Sequence, residues 1–361
     1  MSDRASRLVQ ALSADPQDQG AELMLVTSLV NVRYLTGFTG SNGAVLVGPD
    51  RRVFLTDFRY VEQSAAEVDP SFERHIAGRD VFEDVAGLLP AGEVRLGFED
   101  RNLTVHQHAT LREKLPATVE LVAAGAAVEA QRAVKEPGEI ERIRAACELA
   151  DAALREILDG GLVGRTEAEV ALALEDAMRH RGASAVSFDT IVAAGPHAAL
   201  PHATPRDVRI SPGQLVVIDW GAVLDGYCSD CTRTFASGEP DEPARAIYEL
   251  VLDAQLAGLE QLRPGVACRD ADGAARRVIE RGGHAEQFGH SLGHGVGLEV
   301  HEKPTLSGRS EDVLEVGNVV SCEPGVYVPG ELGVRIEDLC VITPSGREVL
   351  THLPKELVVV G

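Results

Sequence analysis

The chain has 361 residues, 44% hydrophobic and 25% charged, an ordinary soluble composition that is long for a single core, so two domains are expected. Its net charge of −22 excludes a nucleic-acid backbone as partner, which would need clustered Lys and Arg. No apolar run reaches about 18 residues, and the N-terminal MSDRASRLVQALSADPQDQG lacks a secretory core, so no membrane association is expected and the location read is cytoplasmic.

Up to residue 128, short strands and helices alternate, which predicts an α/β N-terminal domain. MLVTS, GAVLVGPDRRVFLTD and VRLGFED read as strands, the second as a hairpin turning at Gly48-Pro49-Asp50. The glycines of GFTGSNG match neither a dinucleotide nor a P-loop fingerprint and read as a loop. The boundary is placed near AVKEPGE, where Pro137 can open a long helix, leaving a second domain over 129–361.

The second domain repeats one pattern. Ile140, Ile143, Cys147, Ala150, Leu154 and Ile157 recur at helical spacing; a second helix follows, opened by the capping box Thr166 and Glu169 and closed at Arg181-Gly182. About a hundred residues later Tyr248, Leu252, Leu256 and Leu259 form another stripe, Pro264-Gly265 breaks it, and a further helix ends at Arg281-Gly282. Each helix pair precedes a strand-rich segment with two acids, Asp219 and Asp230, then Glu323 and Glu337. Two αα-ββ halves facing each other would gather all four acids around a pseudo-twofold axis, an α+β arrangement.

LVVIDWGAVLDGYCSDCTRTF predicts a hairpin with Asp225-Gly226 as its two-residue turn. Leu224 then pairs with Tyr227 and Gly221 with Asp230, making Asp219 and Asp230 diagonal neighbours on one face, about 7–8 Å apart. Trp220 points to the other face and reads as core. Solvated acids on an exposed strand would leave the apolar LVVI run unexplained. In SCEPGVYVPGELGVRIED, Pro324 ends one strand and Gly330 and Gly333 return the chain. Arg335 and Glu337 share a face there, so Arg335 can neutralise a carboxylate or meet one from a substrate.

GHSLGHGVGLEVHE contributes His290, His294 and His301, each open to a bland reading as a loop histidine. Asp219, Asp230, His294, Glu323 and Glu337 together make a donor set for two divalent ions. Four carboxylates balance the charge, and paired ions can acidify water and hold the oxygens of a tetrahedral intermediate. Gly289-His290-Ser291-Leu292-Gly293 also matches a serine-hydrolase elbow, with Asp338 and His352 following in order. However, the flanking segments predict neither the strand before Ser291 nor the helix after it. Cys228 and Cys231 form a C-x-x-C in a strand-like run, which reads as buried reduced thiols rather than a redox pair.

The succession IDWGA…GYCSDCTRT, FGHSLGHGVGLEVHE, SCEPGVYV, GVRIED resembles the proline-directed metallopeptidases: Xaa-Pro aminopeptidase, prolidase and their relatives. NVRYLTGFTGSNGA and VFLTDFRYVEQ are similar to the N-terminal domain of that family. The resemblance implies a creatinase/prolidase-like domain over 1–128 and a pita-bread catalytic domain over 129–361, assembled as a homodimer. It implies Asp219 and Asp230 on one ion, His294 and Glu323 on the side of the other, and Asp230 and Glu337 bridging. Glu323 would handle the proton of the attacking water and His301 the oxyanion. His202, His290, His301 and Arg335 would bind the Xaa-Pro peptide. The oxygen-rich set suits Mn²⁺, with Co²⁺ or Zn²⁺ as alternatives. Prolidases often carry Arg shortly after the His-Glu of this motif, where HEKPTLS has Thr305. That departure favours an Xaa-Pro aminopeptidase, with an Xaa-Pro dipeptidase as the alternative. A binding protein on the same fold is disfavoured because no ligand is missing.

Overall fold

LMLV, AVLVG and RRVFLT are apolar, β-rich runs too short for helices, and they build the centre of the first sheet. A computed structural model of the chain describes residues 3–14, 20–78 and 80–361, in two units that divide after Arg132. In the first, strands β1 (Leu23–Val26), β2 (Ala44–Gly48), β3 (Arg51–Thr56), β4 (Glu73–Ile76), β5 (Val94–Phe98) and β6 (Val119–Ala123) form one sheet in the order β4-β3-β2-β1-β5-β6. The β2–β3 hairpin pairs Gly48 with Arg51, so it turns where expected. Leu25, Leu46, Val53 and Leu96 fill the core between this sheet and its helices.

The second unit, from Ala133, contains the duplication. Its first half opens with helices Pro137–Asp159 and Glu167–His180, the latter with both hydrogen bonds of the Thr166–Glu169 capping box. Strands β7 (Ala185–Val186), β8 (Ile191–Ala194), β9 (Leu215–Trp220), β10 (Ala222–Leu224), β11 (Tyr227–Cys228) and β12 (Cys231–Ala236) follow. The second half opens with helices Glu242–Gln261 and Cys268–Arg281. It continues through β13 (Gly293–Gly295), β14 (Glu302–Leu306), β15 (Val319–Cys322), β16 (Gly325–Val328), β17 (Leu332–Arg335), β18 (Asp338–Thr343) and β19 (Gly346–Val349). Each half has its own core: Leu154, Leu174, Ile218 and Trp220 in the first, Tyr248, Val251, Ile279 and Val334 in the second. The architecture is therefore an α/β domain followed by a duplicated αα-ββ domain.

One stripe differs from expectation. On helix Glu242–Gln261 the buried face runs through Tyr248, Val251, Ala254, Gln255, Gly258 and Leu259, while Leu256 is 44% exposed. The i, i+3, i+4 face admits Ala, Gly and a hydrogen-bonded Gln where the helix lies close to its sheet, and counting large apolar residues alone misplaces it. Trp220 is buried as expected, its Nε1–H donating to Ala150 O at 3.1 Å. All six cysteines are buried and free of disulfides, Cys228 and Cys231 included, and burial raises the Cys231 thiol well above its usual range.

Candidate active site

Asp225 and Gly226 both take positive φ, the conformation a type I′ turn demands, and this fixes the first hairpin. Leu224 pairs with Tyr227 and Val223 with Cys228; beyond a break, Trp220 pairs with Cys231 and Asp219 with Thr232. The register is unchanged across the break, so Gly221 sits opposite Asp230, and Asp219 and Asp230 are diagonal neighbours as expected. A Cβ at Gly221 would lie 2.2 Å from Ser229 O, so only glycine permits the strands to approach there.

The second hairpin is built alike. β15 pairs Cys322 with Asp338, and β16 pairs Gly325 with Arg335. The shared register places Glu323 opposite Glu337 at the interruption between them. The two hairpins are stitched together by hydrogen bonds across the pseudo-twofold seam. Glu337 N donates to Thr232 O at 3.0 Å, Thr232 Oγ1 donates to Glu337 Oε2 at 2.9 Å, and Thr234 Oγ1 donates to Arg335 O at 2.9 Å.

The four acids and His294 converge. Oxygens of Asp219, Asp230 and Glu337 lie within 4.8 Å of one another, all three residues buried. His294 Nε2 is 3.1 Å from Glu323 Oε1 and 3.6 Å from Asp230 Oδ2. The other ring nitrogen, Nδ1, lies 3.1 Å from Gly295 O, a bond that as donor turns the Nε2 lone pair towards the acids.

The electrostatics match so much negative charge in a dry place. Burial, then the charges of Glu337 and Asp219, pushes Asp230 well above the usual carboxylate range, and burial with Glu323 and Asp219 does the same to Glu337. Burial also raises Asp219 against the pull of Arg335. At Glu323 burial is outweighed by the hydrogen bond and charge of His294, which bring it to about 2. His294 itself is raised by Glu323 despite burial. Asp219 Oδ1 and Glu337 Oε1 are buried and accept no hydrogen bond from a described protein group. Carboxylates so close, with orphaned oxygens, must bind protons or share cations. The donor set therefore fits the divalent ions that the sequence suggested.

Around this centre stand the other expected residues. The His301 ring lies edge-on to His294 with centroids 4.3 Å apart, and burial and His294 lower its pKa. His290, also lowered by burial, places Nε2 3.1 Å from Tyr327 Oη, and His202 is exposed on the loop after residue 199. Arg335 is the remaining residue expected beside a carboxylate. It is buried, with N–H groups directed to Asp219, to Thr232 Oγ1 at 3.0 Å, to Tyr327 Oη at 2.7 Å and to Pro201 O at 3.1 Å. Those bonds tie the guanidinium to Asp219, one of the two carboxylate roles the sequence offered it.

Comparison with known proteins agrees with this geometry. The model of metallopeptidase family M24 matches residues 141–344, and that of the Creatinase/Prolidase N-terminal domain matches residues 8–134. The chain belongs to metallopeptidase family M24. It is 36% identical over 362 residues to the Xaa-Pro dipeptidase of Pyrococcus furiosus, covering 99% of this chain and 100% of the relative. A structure described as an Xaa-Pro dipeptidase from Bacillus anthracis superposes with a TM-score of 0.93 at 40% identity, covering 98% and 99%. The X-Pro aminopeptidase structure of Thermotoga maritima gives 0.90 at 35% identity, covering 99% and 100%. The duplicated domain is thus the pita-bread fold of M24 enzymes.

The sequence reading missed three residues of this M24 site: Thr232, Ser321 and Tyr327. Ser321 Oγ donates to Glu323 Oε1 at 3.0 Å and accepts from His294 N at 3.0 Å. Period-two alternation would have found two of them, since Thr232 and Ser321 each lie two residues from an acid. The serine-hydrolase elbow does not form. Ser291 precedes strand β13 rather than a helix, and Asp338 is committed to Arg233, Gln255 and Thr351.

Proposed function

We propose that this M24 enzyme is an Xaa-Pro dipeptidase whose catalytic domain spans 129–361. In this reading Asp219, Asp230, His294, Glu323 and Glu337 hold two divalent ions. The observation that carries the metal assignment is the convergence of these side chains, with Asp219, Asp230 and Glu337 buried and two carboxylate oxygens left unsatisfied. Four carboxylates and one imidazole favour Mn²⁺ or Co²⁺ over metals that seek thiolates. When bound, such ions supply Lewis acidity, acidifying water and polarising a carbonyl.

The chain's own groups do the rest. Glu323 is held ionised, with Oε1 accepting from Ser321 and facing His294, so Oε2 is free to take a proton from the attacking water and return it to the leaving nitrogen. His301, neutral because its pKa is lowered, offers an N–H to the developing oxyanion. Arg335 fixes Asp219, and Thr232 fixes Glu337. His202 and His290 would meet the proline end of the substrate. A tertiary amide has no N–H, so recognition falls to ring shape and to the free carboxylate.

The named relatives support the dipeptidase over the aminopeptidase that Thr305 suggested. One observation favours the second reading. Thr305 pairs with His294 across β13 and β14, at the rim of the site, and brings no charge there, while Arg335 is already engaged. Comparing kcat/KM for Ala-Pro and Ala-Pro-Yaa decides between them. Preference for Ala-Pro supports the dipeptidase, and preference for the tripeptide supports the aminopeptidase.

A further inference from the structure

The two loops that carry His202 and His290 are held in the same manner, one in each half of the duplicated domain. Glu167 opens the second helix of the first half and is buried, yet none of its oxygens is spent on its own helix. Oε1 accepts from Ala194 N at 2.9 Å and from Arg206 Nη2 at 3.1 Å. Oε2 accepts from Arg206 N and Arg206 Nε, both at 3.0 Å, and faces His197 Nδ1 at 2.9 Å. One carboxylate therefore ties both ends of segment 194–206, in the middle of which lies His202. Pro201, its neighbour, accepts a hydrogen bond from Arg335, which orients Asp219.

The second half repeats the device. Asp272, on helix Cys268–Arg281, is buried and accepts from Leu292 N at 3.0 Å and from Arg276 Nε at 3.0 Å and Nη2 at 2.9 Å. Arg276 then donates to Phe288 O at 2.8 Å and His290 O at 2.9 Å, and its guanidinium lies over the Phe288 ring. Segment 288–292, with His290 at its centre, is thus pinned at its ends and at the histidine itself. A buried carboxylate needs its donors, and here the loops supply them, so each loop has one well-satisfied position.

We propose that Glu167–Arg206 and Asp272–Arg276 are positioning pairs that set His202 and His290 for substrate, an inference that rests on the peptidase reading of these histidines. The side chains of Arg206 and Arg276 are 46% and 36% exposed, so R206Q and R276Q take the guanidinium out of each clamp, leaving its backbone bonds, with the least risk to folding. The two clamps are independent, so each variant tests the proposal should the other not fold.

Hydrogen exchange followed by mass spectrometry should show faster exchange confined to 194–206 in R206Q and to 288–292 in R276Q. Metal content should be unchanged. With metal-loaded enzyme, kcat/KM for Ala-Pro should fall by roughly ten- to hundred-fold, the cost of a misplaced contact. In backgrounds already carrying H202A or H290A, the matching clamp variant should add less than about threefold. Unchanged exchange in both segments overturns the proposal whether or not the enzyme cleaves Xaa-Pro. Additive losses in the double variants overturn it as well. Absence of Ala-Pro cleavage by the metal-loaded wild type, with the exchange changes present, would instead bring down the peptidase reading and leave the clamps standing.

Discussion

Replacing Thr232 by Val keeps the side-chain volume and removes one oxygen from the seam between the two halves. That oxygen is fully buried; it donates to Glu337 Oε2 at 2.9 Å and accepts from Arg335 Nε at 3.0 Å. Two buried partners are then left short of one bond each, at about 1–3 kcal/mol apiece, so T232V should lose about 2–6 kcal/mol in the metal-free state. For a domain of this size that lowers the melting temperature by at least about 4 °C. Because Glu337 loses the bond that orients it, divalent-metal affinity should also fall, by roughly 10–100-fold. Calorimetric melting and chelator competition measure the two effects, and T232S, which keeps the hydroxyl, should show little of either. A T232V protein with wild-type melting and metal affinity would refute the idea that this hydroxyl couples the halves through Glu337.

Asp230→Asn and His294→Ala should abolish turnover and lower metal content measured by mass spectrometry, since the remaining donors cannot complete the set. His301→Ala should keep its metal and lose roughly 10²–10³ in kcat, and metal loss in that variant would contradict the separation of roles. Ser291→Ala should retain near-wild-type activity; a collapse would revive the nucleophile elbow. The metal-free protein should lose stability from pH 5 to 8. Asp230 and Glu337 have folded pKa values raised by burial and neighbouring acids, so their destabilising effect is absent below the unfolded values and grows as pH rises above them. His294, raised by Glu323, contributes stability below its unfolded value that is lost as pH rises through the folded one, which acts in the same direction. Glu323, held at about 2, contributes a constant amount over this window. Bound cations replace the protons, so the melting difference between loaded and metal-free protein should widen with pH, and a constant difference would argue against the acids as ligands.

Much of the site follows from local rules visible in the chain. The Asp225-Gly226 turn fixes a register, and the register fixes that Asp219 and Asp230 share a face. The capping box at Thr166 and Pro137 at a helix start mark the two helices of the first half equally well. What was not legible depends on contacts between segments far apart in sequence. Arg335 reads as able either to neutralise a carboxylate or to meet one from a substrate until Thr232, Asp219 and Pro201 from the other half are placed around it. Tyr327 looks like an ordinary strand aromatic until His290 and Arg335 meet its hydroxyl. The buried stripe at Tyr248 shifts away from Leu256 because close helix–sheet packing selects small residues that apolar periodicity does not weigh. For substrate length the sequence offers only Thr305, where a charge is missing, and an Arg335 that can serve either role, whereas carboxylate recognition depends on every group around the bound peptide.

The central claim is that five converging ligands make a metal-dependent peptidase acting on Xaa-Pro bonds. Its most direct test is release of proline from Ala-Pro by one preparation in three states: as purified, after chelation, and after chelation followed by Mn²⁺ or Co²⁺. The account predicts loss of proline release on chelation and recovery on addition of either ion, with about two ions bound per chain at full recovery. Undiminished proline release from chelated, metal-free protein would contradict it.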